Sequence, residues 1–224
     1  MDKINVALDG PAGAGKSTVA RHVAKALGYI YVDTGSMYRA VTWKALHSGI
    51  RPEDTPAVIA AAERMQLELS PAETGQQVYV DGENVTELIR SQEVNQAVSI
   101  IAQIPEIRRL LADKQKKLAA SKGVVMDGRD IGSSVLPDAE VKVFLTASPR
   151  IRAERRFKEL EPCNIDLDEL EKQICLRDEM DRNRTHSPLV QAEDAVLIDS
   201  SDMDLPEVIE AVLKLCRFKV SGGR

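Results

Sequence analysis

Apolar and polar positions along the 224-residue chain follow two periods. Residues 3–9 (KINVALD) form a short apolar run ending at Gly10, after which apolar residues recur at Val19, Val23 and Leu27 as far as Gly28. A run too short for a helix, followed by a helical repeat, predicts strand, loop, helix. YIYVDTG at 29–35 predicts a second strand, followed by a helix from about Met37 that stops at Gly49. A third helix is expected from Pro56, with Thr55 as its cap.

Between 65 and 90 the period shortens to two, because QLELS, QQVYVDG and ENVTELI alternate apolar and polar side chains between glycine-containing turns. This stretch reads as a small antiparallel insert. From Ser91 the helical period returns, and Pro105 opens a helix expected to end at Gly123. GVVMD (123–127), VKVFL (141–145) and AVLI (195–198) are nearly continuous apolar runs, as strands buried on both faces require. Charged helical segments at about 149–160 and 167–184 separate them, and Asp204 and Glu207 stand at capping-box spacing before a last helix. Alternating β and α elements around five strands predict an α/β fold, a five-stranded parallel sheet flanked by helices. The tail SGGR is expected to fray.

Composition narrows the function. A hydrophobic share of 43% and a charged share of 29% fit a globular protein. No basic-then-apolar signal segment opens the chain and no apolar run could span a bilayer, so a cytoplasmic protein without a membrane partner is expected. Cys163, Cys175 and Cys216 lack a CxxC pair and read as free thiols. His22, His47 and His186 have no metal-ligand spacing and are assigned no catalytic role. A formal charge of −5 argues against nucleic acid as a partner. Arginines clustered within an acidic chain point instead to a small polyanion held in a pocket.

Gly10-Pro11-Ala12-Gly13-Ala14-Gly15-Lys16-Ser17 fits G-x-x-x-x-G-K-[ST], after a buried strand and at the start of a helix. Glycines let the backbone curl so that amides point at a phosphate, and the helix N-terminus adds partial positive charge. Lys16 would reach the β and γ oxygens, and the Ser17 hydroxyl would bind Mg²⁺. Asp127 ends the run Val124-Val125-Met126 as a Walker B acid does, a second Mg²⁺ candidate. The loop predicts a P-loop NTPase that binds nucleotide phosphates but leaves GTPase, motor, switch and kinase open. The absence of an NKxD-like sequence counts against a GTPase.

DTGSMYR (33–39) and DGRDIG (127–132) follow strands, where an open α/β sheet places its ligands. GPAGAGKST, DTGSMYR, DGRDIG and RDEMDRNR, in this order and spacing, resemble the bacterial cytidylate kinase family across nearly the whole chain. The resemblance implies an adenylate-kinase-like fold forming a single kinase domain over 1–224. Its core would be 1–64 and 101–224, with an NMP-binding insert at 65–100 and a short helical lid at 149–170. It also implies γ-phosphate transfer from ATP to CMP or dCMP by a monomer.

Residue by residue, the resemblance extends the phosphate loop to Thr18 and places Thr34, Arg39 and Arg129 on the acceptor phosphate. Thr34 stands where the family often has serine. Cytosine presents an N4 donor beside N3 and O2 acceptors, so Asp130 can accept from it. By resemblance, Ser99 and Arg108 donate. Uracil would set a carbonyl oxygen against the Asp130 carboxylate, a mispairing of roughly 1–3 kcal/mol. Arg177, Asp181 and Arg184 share a helix face at i, i+4, i+7. An intrahelical salt-bridge ladder is one reading; the resemblance gives them ribose and phosphates, with Asp181 on the sugar hydroxyls and Arg177 and Arg184 neutralising transferred charge. Arg152, Arg155 and Arg156 share another face, in the segment the family uses as a lid over ATP, and a solvated helix face is the alternative reading. The lid tip, Glu161 to Asp168, is shorter than in the family versions.

Phosphoryl transfer is carried mostly by positioning and charge neutralisation. An acceptor phosphate is already largely dianionic at neutral pH, so no general base is required. Rival readings are another small P-loop kinase acting on UMP, AMP or shikimate, and a non-catalytic nucleotide-binding switch.

Overall fold

A computed structural model describes residues 3–72, 75–159 and 166–222. Residues 160–165, which hold most of the lid tip and Cys163, and the last two residues of the tail lie outside the described residues. In chain order the elements are β1 (Asn5–Asp9), α1 (Lys16–Leu27), β2 (Ile30–Asp33), α2 (Thr34–His47), α3 (Thr55–Arg64), β3 (Leu67–Ala72), β4 (Gly75–Val80) and β5 (Glu83–Asn84). They continue with α4 (Gln92–Ile101), α5 (Pro105–Ala119), β6 (Val124–Asp127), β7 (Val141–Thr146), α6 (Pro149–Glu159), α7 (Leu167–Asn183), β8 (Val196–Asp199) and α8 (Leu205–Val220). The fold is the expected α/β architecture, with a five-stranded sheet ordered β2-β6-β1-β7-β8 and a three-stranded sheet ordered β3-β4-β5.

By packing, the chain divides into two compact units, Met1–Tyr29 with Lys122–Arg224, and Ile30–Ser121. In the first, β1 pairs in parallel with β6 and β7, and β7 with β8. Every residue of β1 and β6 is buried, as their unbroken apolar runs require. β8 departs from the expected burial on both faces, since Val196, Leu197 and Asp199 are exposed. It is the terminal strand of the sheet, with a neighbour on one side only. α1 stops where the sequence places its end, at Gly28, whose φ of 66° continues as a left-handed cap. The capping box of α8 is also present, Asp204 accepting from the Glu207 amide while the Glu207 side chain accepts from the Asp204 amide.

The second unit is built around Met37, Val41, Val58, Val78, Val80, Ile89, Ile101, Ile107 and Leu111. The inner face of the antiparallel β3-β4 hairpin therefore contributes to the same core as the helices of this unit. Four details differ from the sequence expectation. α2 starts at Thr34 rather than near Met37, because Asp33 caps it by accepting from the Ser36 amide at 3.0 Å. The cap of α3 is Asp54, one residue before Thr55, and it accepts from Ala57 N–H. ENVTELI pairs only through Glu83 and Asn84, after which Leu88–Arg90 make a 3₁₀ turn. There the Thr86 hydroxyl accepts from Val78 N–H at 3.0 Å, replacing a ladder bond. α5 likewise ends at Ala119, ahead of a reversal with positive φ at Lys122 and Gly123.

Candidate active site

The loop from Gly10 to Ser17 joins β1 to α1. Gly10 has φ 145°, and a Cβ there would lie 1.9 Å from the Leu145 carbonyl oxygen, so only glycine lets the loop leave the sheet along this path. Gly15, with φ 85°, caps α1 in the left-handed region. The first amides of the helix have no intrahelical acceptors and form an anion cradle. Lys16 is buried and its Nζ donates to Pro11 O at 2.7 Å. Burial holds the Lys16 amine well below its ordinary range, Arg129 adds to that, and Asp127 and Asp9 oppose it. A polyanion on the loop would act in the direction of these carboxylates.

Ser17 Oγ donates to Asp127 Oδ2 at 2.8 Å, which brings together the two residues expected to hold Mg²⁺. Hydroxyl and carboxylate oxygens suit a hard cation that takes its remaining ligands from water and phosphate. Among the described residues no group of three or more His, Cys, Asp or Glu forms an all-protein metal cage.

A second group of charges gathers on β6, the residues after it and the end of α7. Arg129 Nε donates to Asp181 Oδ2 at 2.8 Å, and Arg184 lies 3.7 Å from both Asp130 and Asp181. Arg184 stands just past α7 in extended backbone, so it belongs to the C-cap rather than to the helical face the spacing predicted. Burial opposes charge on Asp181, but Arg129, Arg177 and Arg184 outweigh it and hold the carboxyl below its ordinary value. Burial also opposes charge on Arg129, and Asp181 reverses the sign, raising it. Arg177 joins this cluster through its field on both Asp181 and Lys16.

The three arginines of α6 part company in the fold. Arg152 is 2% exposed, with Nε donating to Ala147 O at 2.9 Å, one Nη to Ala12 O at 2.8 Å, and the other lying 2.6 Å from Asp178 Oδ2. It thus supports the phosphate loop from behind through the Ala12 carbonyl. Arg155 donates to the hydroxyl and carbonyl of Ser200 at 3.0 and 2.6 Å. Arg156 is exposed. One helical face in sequence therefore becomes a buried brace, a tie to the end of β8 and an exposed cation.

The remaining expected residues lie in the second unit. Thr34 is buried in the first turn of α2, and Arg39, one turn on, donates from Nε to Asn95 Oδ1 at 3.3 Å. Ser99 lies on α4 and accepts through its carbonyl from Gln103. Arg108 is buried, donates to Ala102 O at 3.1 Å, and sits 5.4 Å above the Tyr38 ring. Gln76, on β4, accepts from Asp33 N–H at 3.2 Å and donates to Ser36 Oγ at 2.8 Å, bracing the turn that starts α2.

Sequence reasoning passed over Gln76, Asp178 and Asp9. Asp9 ends β1 and is buried, with Oδ1 accepting from Ile131 N–H at 2.8 Å and Oδ2 from Gly132 N–H at 2.7 Å. A carboxylate closing an otherwise apolar strand was its only sequence signal. Gln76 carried none, since a glutamine in an alternating strand is ordinary, and Asp178 stood within RDEMDRNR without a spacing that singled it out.

Comparison with known proteins identifies the family. The family model for cytidylate kinase matches residues 6–218. The chain is 50% identical over 221 residues to the cytidylate kinase of Listeria monocytogenes serovar 1/2a, covering 98% of each protein. It is 50% identical over 214 residues to that of an Exiguobacterium species, covering 95% of this chain and 96% of the relative. Among solved structures, a gluconokinase from Sinorhizobium meliloti 1021 superposes with a TM-score of 0.50 at 16% identity, covering 97% and 94% of the two chains, a likeness of fold alone.

Proposed function

The chain belongs to the cytidylate kinase family and transfers the γ-phosphate of ATP to CMP or dCMP, and we propose that it does so with the residues described above. Gly10 to Thr18 hold the triphosphate through main-chain amides, and Lys16 reaches its terminal oxygens. Of the α6 arginines, Arg156 meets ATP from solvent, while Arg152 and Arg155 act on the same side of the reaction. Bound magnesium supplies positive charge at the phosphate oxygens, and Ser17 and Asp127 are the residues that would hold it.

For the acceptor, Thr34, Arg39 and Arg129 grip the phosphate, Asp130 accepts from the cytosine amino group, and Ser99 and Arg108 donate to the ring acceptors. Asp181 takes the sugar hydroxyls. The dianionic acceptor oxygen attacks the γ-phosphorus in line, a new P–O bond forms as the bond to ADP breaks, and no proton has to be removed first. Lys16, Arg129, Arg177 and Arg184 spread the charge of the transition state. The enzyme works as a monomer in the cytoplasm. No helix among the described residues is long and apolar enough to cross a membrane.

The observation that carries these assignments is the charge cluster of Arg129, Asp130, Asp181 and Arg184, whose paired groups lie 2.8 to 3.7 Å apart. A coupled assay over CMP, dCMP, UMP, AMP and shikimate, run on the wild type and on Asp130→Asn, tests it. The wild type turns over CMP and dCMP well above the others, and the variant loses most of the preference for CMP over UMP. An unchanged preference removes Asp130 from base recognition.

A further inference from the structure

Asp9 is the last residue of β1, and its neighbour Gly10 is the first of the phosphate loop. Its carboxylate spends both oxygens on consecutive amides, those of Ile131 and Gly132, at 2.8 and 2.7 Å. These residues immediately follow Arg129 and Asp130 and open a one-turn π segment, Ile131–Val135. In that turn the Asp130 carbonyl accepts from the Ser134 amide at 2.9 Å.

The clasp is closely packed. A Cβ on Gly132 would press the Lys142 stem at 3.2 and 3.3 Å and touch Asp9 Oδ2 at 3.4 Å. On its other side, Gly10 is pressed against the Leu145 carbonyl. A carboxylate is the one short side chain that offers two acceptors at once to two parallel N–H donors, whereas an asparagine would turn an N–H towards one of them.

We propose that Asp9 is a positioning residue that fixes Arg129 and Asp130 with respect to the phosphate loop, and so sets the fidelity with which the acceptor base is read. It touches neither substrate. It acts because one side of the residue is covalently continuous with the ATP loop while its side chain holds the segment that carries the base-reading carboxylate. The inference rests on the reading of Asp130 given above.

Asp9→Asn, Gly132→Ala and Asp130→Asn test it, each assayed for kcat and KM with ATP, CMP and UMP. Asp9→Asn is expected to raise KM for CMP and lower the CMP-over-UMP ratio of kcat/KM by about tenfold, the weight of one hydrogen bond to a charged group. KM for ATP stays within about twofold of the wild type, a split that general loosening of the fold would not produce. Gly132→Ala disturbs the same clasp from the far side without touching the loop, and is expected to move the same ratio less. It decides the matter if Asp9→Asn does not fold. A raised KM for ATP with an unchanged base ratio would overturn the proposal, leaving Asp9 as a brace of the loop alone. If Asp130→Asn shifts the ratio and the clasp variants do not, the proposal fails while the reading of Asp130 stands. If Asp130→Asn leaves the ratio unchanged, both fail.

Discussion

The Arg152 guanidinium stands 2.6 Å from the Asp178 carboxylate, and neither side chain is more than 4% exposed. Two charges this deep are tolerated because each is answered, the arginine also donating to the Ala147 and Ala12 carbonyls. Asp178→Ala is expected to destabilise the protein by about 3–5 kcal/mol, since it strands a buried cation behind the phosphate loop. Chemical denaturation measures it. The double change Arg152→Met with Asp178→Leu recovers most of that loss.

Two glycines separate shape from conformation. Gly28→Ala meets nothing within 4 Å and suffers only the left-handed backbone of its cap, so a loss of about 1–2 kcal/mol in stability with normal activity is expected. Gly10→Ala would bring a Cβ to 1.9 Å from Leu145 O, which the backbone of β7 cannot yield. ATP binding, followed by titration calorimetry, is expected to disappear for Gly10→Ala and to persist for Gly28→Ala.

Ser17 is exposed and bonded through its side chain to Asp127, so Ser17→Ala should fold normally. The expected consequence is a higher magnesium concentration for half-maximal rate and a kcat reduced by about tenfold or more, with KM for CMP little changed. A magnesium titration of the initial rate reads both.

Gln76 ties β4 to the turn that carries Thr34 and leads to Arg39. Gln76→Ala removes hydrogen bonds worth about 0.5–1.5 kcal/mol each, so KM for CMP should rise by about three- to tenfold while KM for ATP holds. Steady-state kinetics with each substrate varied in turn checks the split.

Burial pushes the Asp9 carboxyl up to about 6; the Ile131 and Gly132 amides and Lys16 pull the other way, and Asp130 adds to the rise. In an unfolded chain the same group titrates near about 3.9. Between these values the folded state keeps a proton that the unfolded state has lost, so this contribution to stability is present below about 4 and disappears as pH rises through about 6. Denaturant melts of the ligand-free wild type and Asp9→Asn across pH 4 to 7 should show the wild type losing ground to the variant over that window, and no further change above it.

Much of this protein was legible in its sequence because the signals are local. The phosphate loop, the Gly28 stop, the Asp204–Glu207 capping box and the buried strands β1 and β6 each depend on residues close together in the chain, where backbone sterics and apolar periodicity decide the outcome. What only the tertiary structure decided is the fate of charged side chains. Arg152, Arg155 and Arg156 are alike in sequence, yet the first is buried against Asp178 and the Ala12 carbonyl, the second reaches Ser200, and the third is exposed. Likewise Asp9 is only the end of a strand until folding brings the amides of residues more than 120 positions away onto its two oxygens. A long polar side chain finds its partner by spatial proximity, and no periodicity in the chain encodes that.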